Sequence, residues 1–194
     1  MTNEPHQFPI SDHPDLPNRK LTRLKGFDYS MPGNYFVTLV TQGRINCFGT
    51  VTNGTVILND VGQMIETCYK ELNNVKENVE CLDYVIMPNH LHFILRLYNT
   101  DSQSQISLSE LVRRLKSKTT VKYIHGVKRM GWPPFDRHLW QKGFYDHIIR
   151  NERAYDYIRN YIFMNPLRWF YDKINPNCSS TPDEIYQGIK ALYT

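Results

Sequence analysis

The chain has 194 residues, 41% of them hydrophobic, with a formal charge of +4 and a pI near 8.8. That size and apolar content suit one domain with peripheral additions and exclude wholesale disorder. No apolar run reaches the roughly 18 residues of a membrane-spanning helix, and the opening MTNEPHQFPISDHPDLPNRK lacks the basic-then-apolar order of a secretory signal. The expected setting is therefore cytoplasmic, with no membrane partner. The charge permits a polyanionic partner without demanding one.

Residues 1 to about 30 carry Pro5, Pro9, Pro14 and Pro17 among polar neighbours and are expected to form an irregular arm. Tyr35 to Val40 is a β-branched and aromatic run suited to a strand covered on both faces. Ile45 to Leu58, with Gly49 and Gly54, is expected to form a hairpin or two short strands. Asn59 or Asp60 can cap a helix through the early seventies, with Ile65, Cys68, Tyr69 and Leu72 along one side.

Glu80 to Met87 and Leu91 to Leu97, separated by a short polar break at Pro88-Asn89, are expected to be antiparallel neighbours. Residues 99 to 107 are polar and predict a loop. Ser107 or Ser109 can start a helix with Leu108, Leu111, Val112 and Leu115 on its apolar side, and Gly131-Trp132-Pro133-Pro134 must end it. Phe144 to Ile149 predicts another strand, and Asn151 can cap a helix to about Met164, limited by Pro166. This order predicts an α+β domain built on an antiparallel sheet with helices packed on one face. Cys47, Cys68, Cys81 and Cys178 are scattered, without a C-x-x-C pair, and are expected to be packing or incidental thiols.

The sharpest local signal is Met87-Pro88-Asn89-His90-Leu91-His92-Phe93-Ile94-Leu95. On a strand, side chains repeat every two residues, so His90 and His92 share one side and Leu91 and Phe93 the other. Two imidazoles can then reach one divalent ion, although His-x-His alone fits hydrogen-bonding histidines equally well, and two histidines do not complete a metal shell. The segment Tyr157-Ile158-Arg159-Asn160-Tyr161-Ile162-Phe163-Met164-Asn165-Pro166 offers the missing groups. Tyr161 and Asn165, four apart, share a helix face; an amide oxygen could add a third ligand and a phenol could act as nucleophile. Spacing alone leaves Tyr157 a rival to Tyr161, and Asn165 before Pro166 is also an ordinary helix ending.

Those two segments, together with Trp140-Gln141-Lys142-Gly143-Phe144-Tyr145-Asp146-His147-Ile148-Ile149-Arg150-Asn151, resemble the IS200-like transposases, especially the REP-associated tyrosine transposases. The likeness runs from about residue 28 to 172. It implies three regions: an arm at 1–27, a catalytic domain at 28–172 and a tail at 173–194. It also implies a ferredoxin-like core with the nucleophile on a C-terminal helix, which selects Tyr161 over Tyr157. By the same resemblance, His90, His92 and Asn165 are metal ligands, the metal is Mg²⁺ or Mn²⁺, and the substrate is single-stranded DNA bearing hairpins, cut and rejoined through a 5′-phosphotyrosine. Monomer and homodimer both occur among such proteins. Tyr145 and His147 alternate onto one strand face and are candidates to shape the site.

Arg113, Arg114, Lys116, Lys118, Lys122, Lys128 and Arg129 form a basic cluster able to hold phosphates, with a solvated charged face as the plain alternative. Arg19, Lys20, Arg23 and Lys25 form a smaller one, and Tyr123 and Trp132 are candidates to stack on bases. Two other functions compete: a protein of the same fold that binds hairpin DNA without cutting it, and a zinc hydrolase using the histidine pair with a further acidic or histidine ligand.

Overall fold

The computed structural model describes residues 26–99 and 106–178. The proline-rich arm, the Arg19 to Lys25 cluster and most of the C-terminal tail lie outside the described residues. Strands β1 (Gly33–Val40), β4 (Val79–Met87), β5 (His90–Leu97) and β6 (Tyr145–Ile149) form one sheet in the order β4-β5-β1-β6. Every neighbouring pair is antiparallel. With helix α1 (Asp60–Lys70) between β1 and β4, and α2 (Leu108–Met130) between β5 and β6, the main sheet follows the strand-helix-strand-strand-helix-strand path of a ferredoxin-like domain. The expected hairpin is β2 (Gly49–Thr52) and β3 (Thr55–Leu58), turned at Asn53 and Gly54 with φ of 50° and 71°. Two successive positive φ values give the turn whose twist matches paired strands, and Asn-Gly supplies them at least cost.

The helix signals act as the sequence suggests. The side chains of Asn59, Ser107 and Asn151 accept hydrogen bonds from the N–H groups of Gly62, Glu110 and Ala154, capping α1, α2 and α3 (Glu152–Met164). Gly131, with φ of 71°, ends α2 in the left-handed conformation.

The period of two in the central strands divides the molecule. Leu91, Phe93 and Leu95 of β5 and Tyr35, Val37 and Leu39 of β1 enter a core shared with Ile65 and Tyr69 of α1 and Leu111 and Leu115 of α2. The intervening residues face the other way, where Ile94 packs with Ile158 and Ile162 of α3 and with Phe36. Helices α1 and α2 thus occupy one face, as the element order suggests, and the tyrosine helix α3 covers the opposite one.

Two aromatic candidates for base stacking are instead structural. Tyr123 is 2% exposed and its hydroxyl donates to the Pro133 carbonyl at 3.0 Å. Trp132 packs edge-on to Tyr123, with ring centroids 5.6 Å apart. The reason is the length of α2: it brings Tyr123 onto the apolar side, and the segment after Gly131 folds back over it. A Cβ on Gly126 would stand 2.1 Å from the Trp132 ring. Helix propensity alone favours Gly→Ala by up to about 1 kcal/mol, but overpacking costs about 1–3 kcal/mol. Gly126→Ala is therefore expected to lower the urea midpoint. An unchanged or higher midpoint would mean that Trp132 moves freely.

Candidate active site

The histidine pair sits at the beginning of β5, the strand flanked on both sides by β4 and β1. Its position makes both side chains almost inaccessible: His90 is 0% and His92 2% exposed. Their rings lie 4.6 Å apart. Each Nδ1 has a protein partner, Asn89 Oδ1 at 2.9 Å for His90 and Thr38 Oγ1 at 2.7 Å for His92. Thr38 is the cross-strand neighbour of His92 in β1, so the pleat itself supplies that contact. Phe36, two residues earlier on the same face, stacks on the His92 ring at 5.4 Å.

Helix α3 lays Tyr161 across this pair. The Tyr161 hydroxyl is 3.5 Å from His92 Nε2, with ring centroids 5.3 Å apart. Tyr157, the rival by spacing, is 53% exposed. Asn165, one turn beyond Tyr161 at the end of α3, is 2% exposed, and its Oδ1 has no hydrogen-bond partner among the described residues. An unsatisfied buried amide oxygen costs about 1–3 kcal/mol. An amide oxygen and two imidazoles are together a donor set that suits a divalent cation.

Three further groups carry no spacing signal in the sequence. The chain turns after α3 through Trp169–Tyr171 and brings Asp172 Oδ2 to 3.8 Å from His90 Nε2. Trp169 packs against the His90 ring at 6.0 Å, and the Arg168 guanidinium lies 5.7 Å above the Tyr161 ring. Burial, above all, pushes the Tyr161 phenol well above its ordinary value; Asp172 adds to this, whereas Arg168 and the Asn165 amide oppose it. The Arg168 guanidinium is itself lowered by burial. Among the described residues, no three His, Cys, Asp or Glu side chains form a metal-binding group.

Tyr145 and His147 lie on edge strand β6, exposed, opposite Thr38 and Phe36 respectively. They therefore share the histidine face and border it at a distance of one strand. The basic cluster is placed differently: α2 packs on the far face of the sheet. Arg113 and Arg114 both pair with Glu110 at 2.7 Å. Lys118 and Lys122 reach Glu71 at 2.8 and 3.9 Å. Lys116 Nζ donates to the carbonyls of Gln141 and Gly143, steadying the approach to β6. Lys128 and Arg129 have no ion-pair partner among the described residues. A cavity of about 360 Å³ lined by Trp132, Phe135 and Leu139 among others is separate from the histidine centre.

Fold and centre define a ferredoxin-like domain whose sheet presents paired histidines to a tyrosine on a covering helix. The family model described as "Transposase IS200 like" matches residues 47–165. An uncharacterized protein of Haemophilus influenzae is 30% identical over 167 residues, spanning 81% of this chain and 93% of its own. A REP-associated tyrosine transposase of Escherichia coli is 28% identical over 116 residues, 57% of this chain and 61% of its own. Among solved structures, a REP-associated tyrosine transposase bound to a REP hairpin has the same fold, with a TM-score of 0.51 and 20% identity over 79% of this chain and 74% of that one. The chain belongs to the IS200-like transposase family.

The hydroxyls of Tyr69 and Tyr161 predict different stability effects. Tyr69 donates to the carbonyls of Leu82 and Ile94 at 3.1 and 2.9 Å, a contact that ties α1 to the sheet. The Tyr161 hydroxyl, by contrast, makes a long 3.5 Å approach to His92 Nε2. Tyr69→Phe is expected to cost about 1 kcal/mol, and Tyr161→Phe on the order of 0.5 kcal/mol or less. Denaturant unfolding of the two variants checks this; equal losses would give Tyr161 a structural role.

Proposed function

We propose that the chain cleaves and rejoins single-stranded DNA at hairpin-bearing sequences, with Tyr161 as the nucleophile and with Mg²⁺ or Mn²⁺ held by His90, His92 and Asn165. The observation that carries this reading is the convergence, within one chain, of two buried imidazoles, an unsatisfied amide oxygen and a phenol on one face of the sheet. The E. coli relative is a REP-associated tyrosine transposase, and the solved relative holds a REP hairpin; both support the choice of substrate.

In the cleavage step the Tyr161 oxygen, having lost its proton, attacks the scissile phosphorus. The bond to the 3′ oxygen breaks, that oxygen takes up a proton as a free hydroxyl, and the 5′ side stays on the enzyme as a phosphotyrosine. Rejoining runs in reverse from a 3′ hydroxyl, so the bond energy is conserved and no nucleotide cofactor is needed. A divalent cation at the three ligands would supply positive charge to polarise the phosphate. Thr38 holds the His92 ring so that its Nε2 faces the Tyr161 hydroxyl. Phe36, edge-on to the Tyr161 ring with centroids 6.1 Å apart, limits water at the phenol, and Arg168 places a positive charge against the Tyr161 ring that favours the phenolate. Tyr145 and His147, bordering this face, are assigned to guiding the strand.

The expected outcome is a covalent adduct between the protein and labelled single-stranded hairpin DNA in Mn²⁺ or Mg²⁺, resolved on denaturing gels and mapped to the Tyr161 peptide. Tyr161→Phe and His90→Ala/His92→Ala should abolish it and Tyr157→Phe should retain it. Adduct surviving in Tyr161→Phe but lost in Tyr157→Phe would overturn the assignment. Absence of any adduct across a broad hairpin library, with binding intact, would favour a protein that binds DNA without cutting it.

Of the seven α2 cations, we assign phosphate contact to Lys128 and Arg129, since the other five already have partners in the fold. Each phosphate contact contributes about 0.7 to 0.9 to the slope of log K against log salt. Replacing both by alanine should lower that slope by about 1.4 to 1.8, whereas Lys118→Ala should leave it nearly unchanged. The converse result would place the DNA along the middle of α2.

A further inference from the structure

The geometry points to Asn89 as a positioning residue that sets the tautomer of His90 and so decides which ring nitrogen faces the reaction centre. The inference rests on the reading of His90 as a metal ligand. Asn89 is 0% exposed, in the two-residue turn between β4 and β5. Its backbone is held from both sides: Thr41 N–H donates to the Asn89 carbonyl at 2.9 Å, and the N–H groups of Cys47 and Phe48 donate to the preceding Pro88 carbonyl at 2.8 and 3.0 Å.

The side-chain amide has little choice of orientation. Its nitrogen lies 3.0 Å from the Arg44 carbonyl and 2.9 Å from the Ile174 carbonyl. Carbonyl oxygens only accept hydrogen bonds, so the atom facing both must be the NH₂ group; the reverse orientation would set three acceptors together. The Asn89 oxygen is therefore the atom 2.9 Å from His90 Nδ1. An amide oxygen is also an acceptor only, so Nδ1 must carry the proton. In the neutral ring, Nε2 then holds the lone pair. That nitrogen is the one on the Asp172 side. A ligating imidazole needs its other nitrogen bonded in this way to fix both ring orientation and tautomer.

The same amide links the imidazole to the chain beyond α3. Through Ile174 it holds the turn that carries Asp172, and Arg44 Nη1 holds the adjacent Lys173 carbonyl at 2.9 Å. One buried side chain thus orients His90 and keeps the Asp172 turn beside it.

The test begins with imidazole ¹⁵N resonances of the metal-free full chain, at a pH above the ordinary histidine range. His90 is expected as the Nδ1–H form; a predominant Nε2–H form would overturn the proposal. Asn89→Ala should show mixed tautomers and bind Mn²⁺ about 10- to 100-fold more weakly by calorimetry. Asn89→Asp, which restores an acceptor but not the two donors, should recover the Nδ1–H form. A folded Asn89→Ala protein with wild-type tautomer and Mn²⁺ affinity would also overturn it; should that variant not fold, the wild-type tautomer decides. Wild-type protein that binds no Mn²⁺ while showing the Nδ1–H form would remove the metal reading and leave the role of Asn89 intact.

Discussion

The arrangement depends on the alternation of side chains along β5. A strand fixed in the middle of a sheet has no freedom to rotate, because its hydrogen bonds to β4 and β1 set the register on both sides. Leu91, Phe93 and Leu95 are driven into the core with α1 and α2, and this commits His90 and His92 to the other face. A slip of one residue would bury the imidazoles among aliphatic side chains and expose the core residues. The hydrophobic effect on one side of the sheet thus places the polar chemistry on the other.

The second face is assembled with less apolar support. Its buried cluster comprises Ile94, Ile149, Ile158 and Ile162, a much smaller set than the core beneath. Polar contacts add to it: the Tyr155 hydroxyl donates to Asp83 at 2.9 Å, and Arg159 reaches the same carboxylate at 3.3 Å, so α3 is fastened to β4 near its middle. Tyr155, Arg159, Ile158 and Ile162 hold the helix while Tyr161 and Asn165 stay turned toward the histidines. The expected division of labour on α3 follows from helical spacing, in which neighbours at three and four residues share a face.

Much of this was legible because it rests on local rules. Caps at Asn59, Ser107 and Asn151, the Asn53-Gly54 turn and the period of two through His90-Leu91-His92-Phe93 each bind nearby residues to one conformation. What lay beyond reach was set by distant contacts. Nothing in the spacing of Arg168 and Asp172 indicates that a turn after α3 returns them to β5. The α2 cations read as a phosphate-binding stripe, yet Glu71, distant in sequence from α2, takes Lys118 and Lys122, and two backbone carbonyls take Lys116. The histidines and the choice of Tyr161 were ambiguous from spacing; the packing of α3 across β5 brings Tyr161 to His92 and leaves Tyr157 half outside.

These long-range contacts bear on where the functional unit ends. The family match closes at residue 165, and an end at 172 would keep Asp172 while releasing what holds it. Asn175 Nδ2 donates to the Trp169 carbonyl at 3.0 Å, Asn89 grips the Ile174 carbonyl and Arg44 the Lys173 carbonyl. Trp169 in turn packs on His90. A chain cut after 172 would lose all three tethers at once, leaving Trp169 and Asp172 without the constraint that sets them against the imidazole. Residues 173–175 are therefore part of the structure that holds Trp169 and Asp172 at the histidine centre.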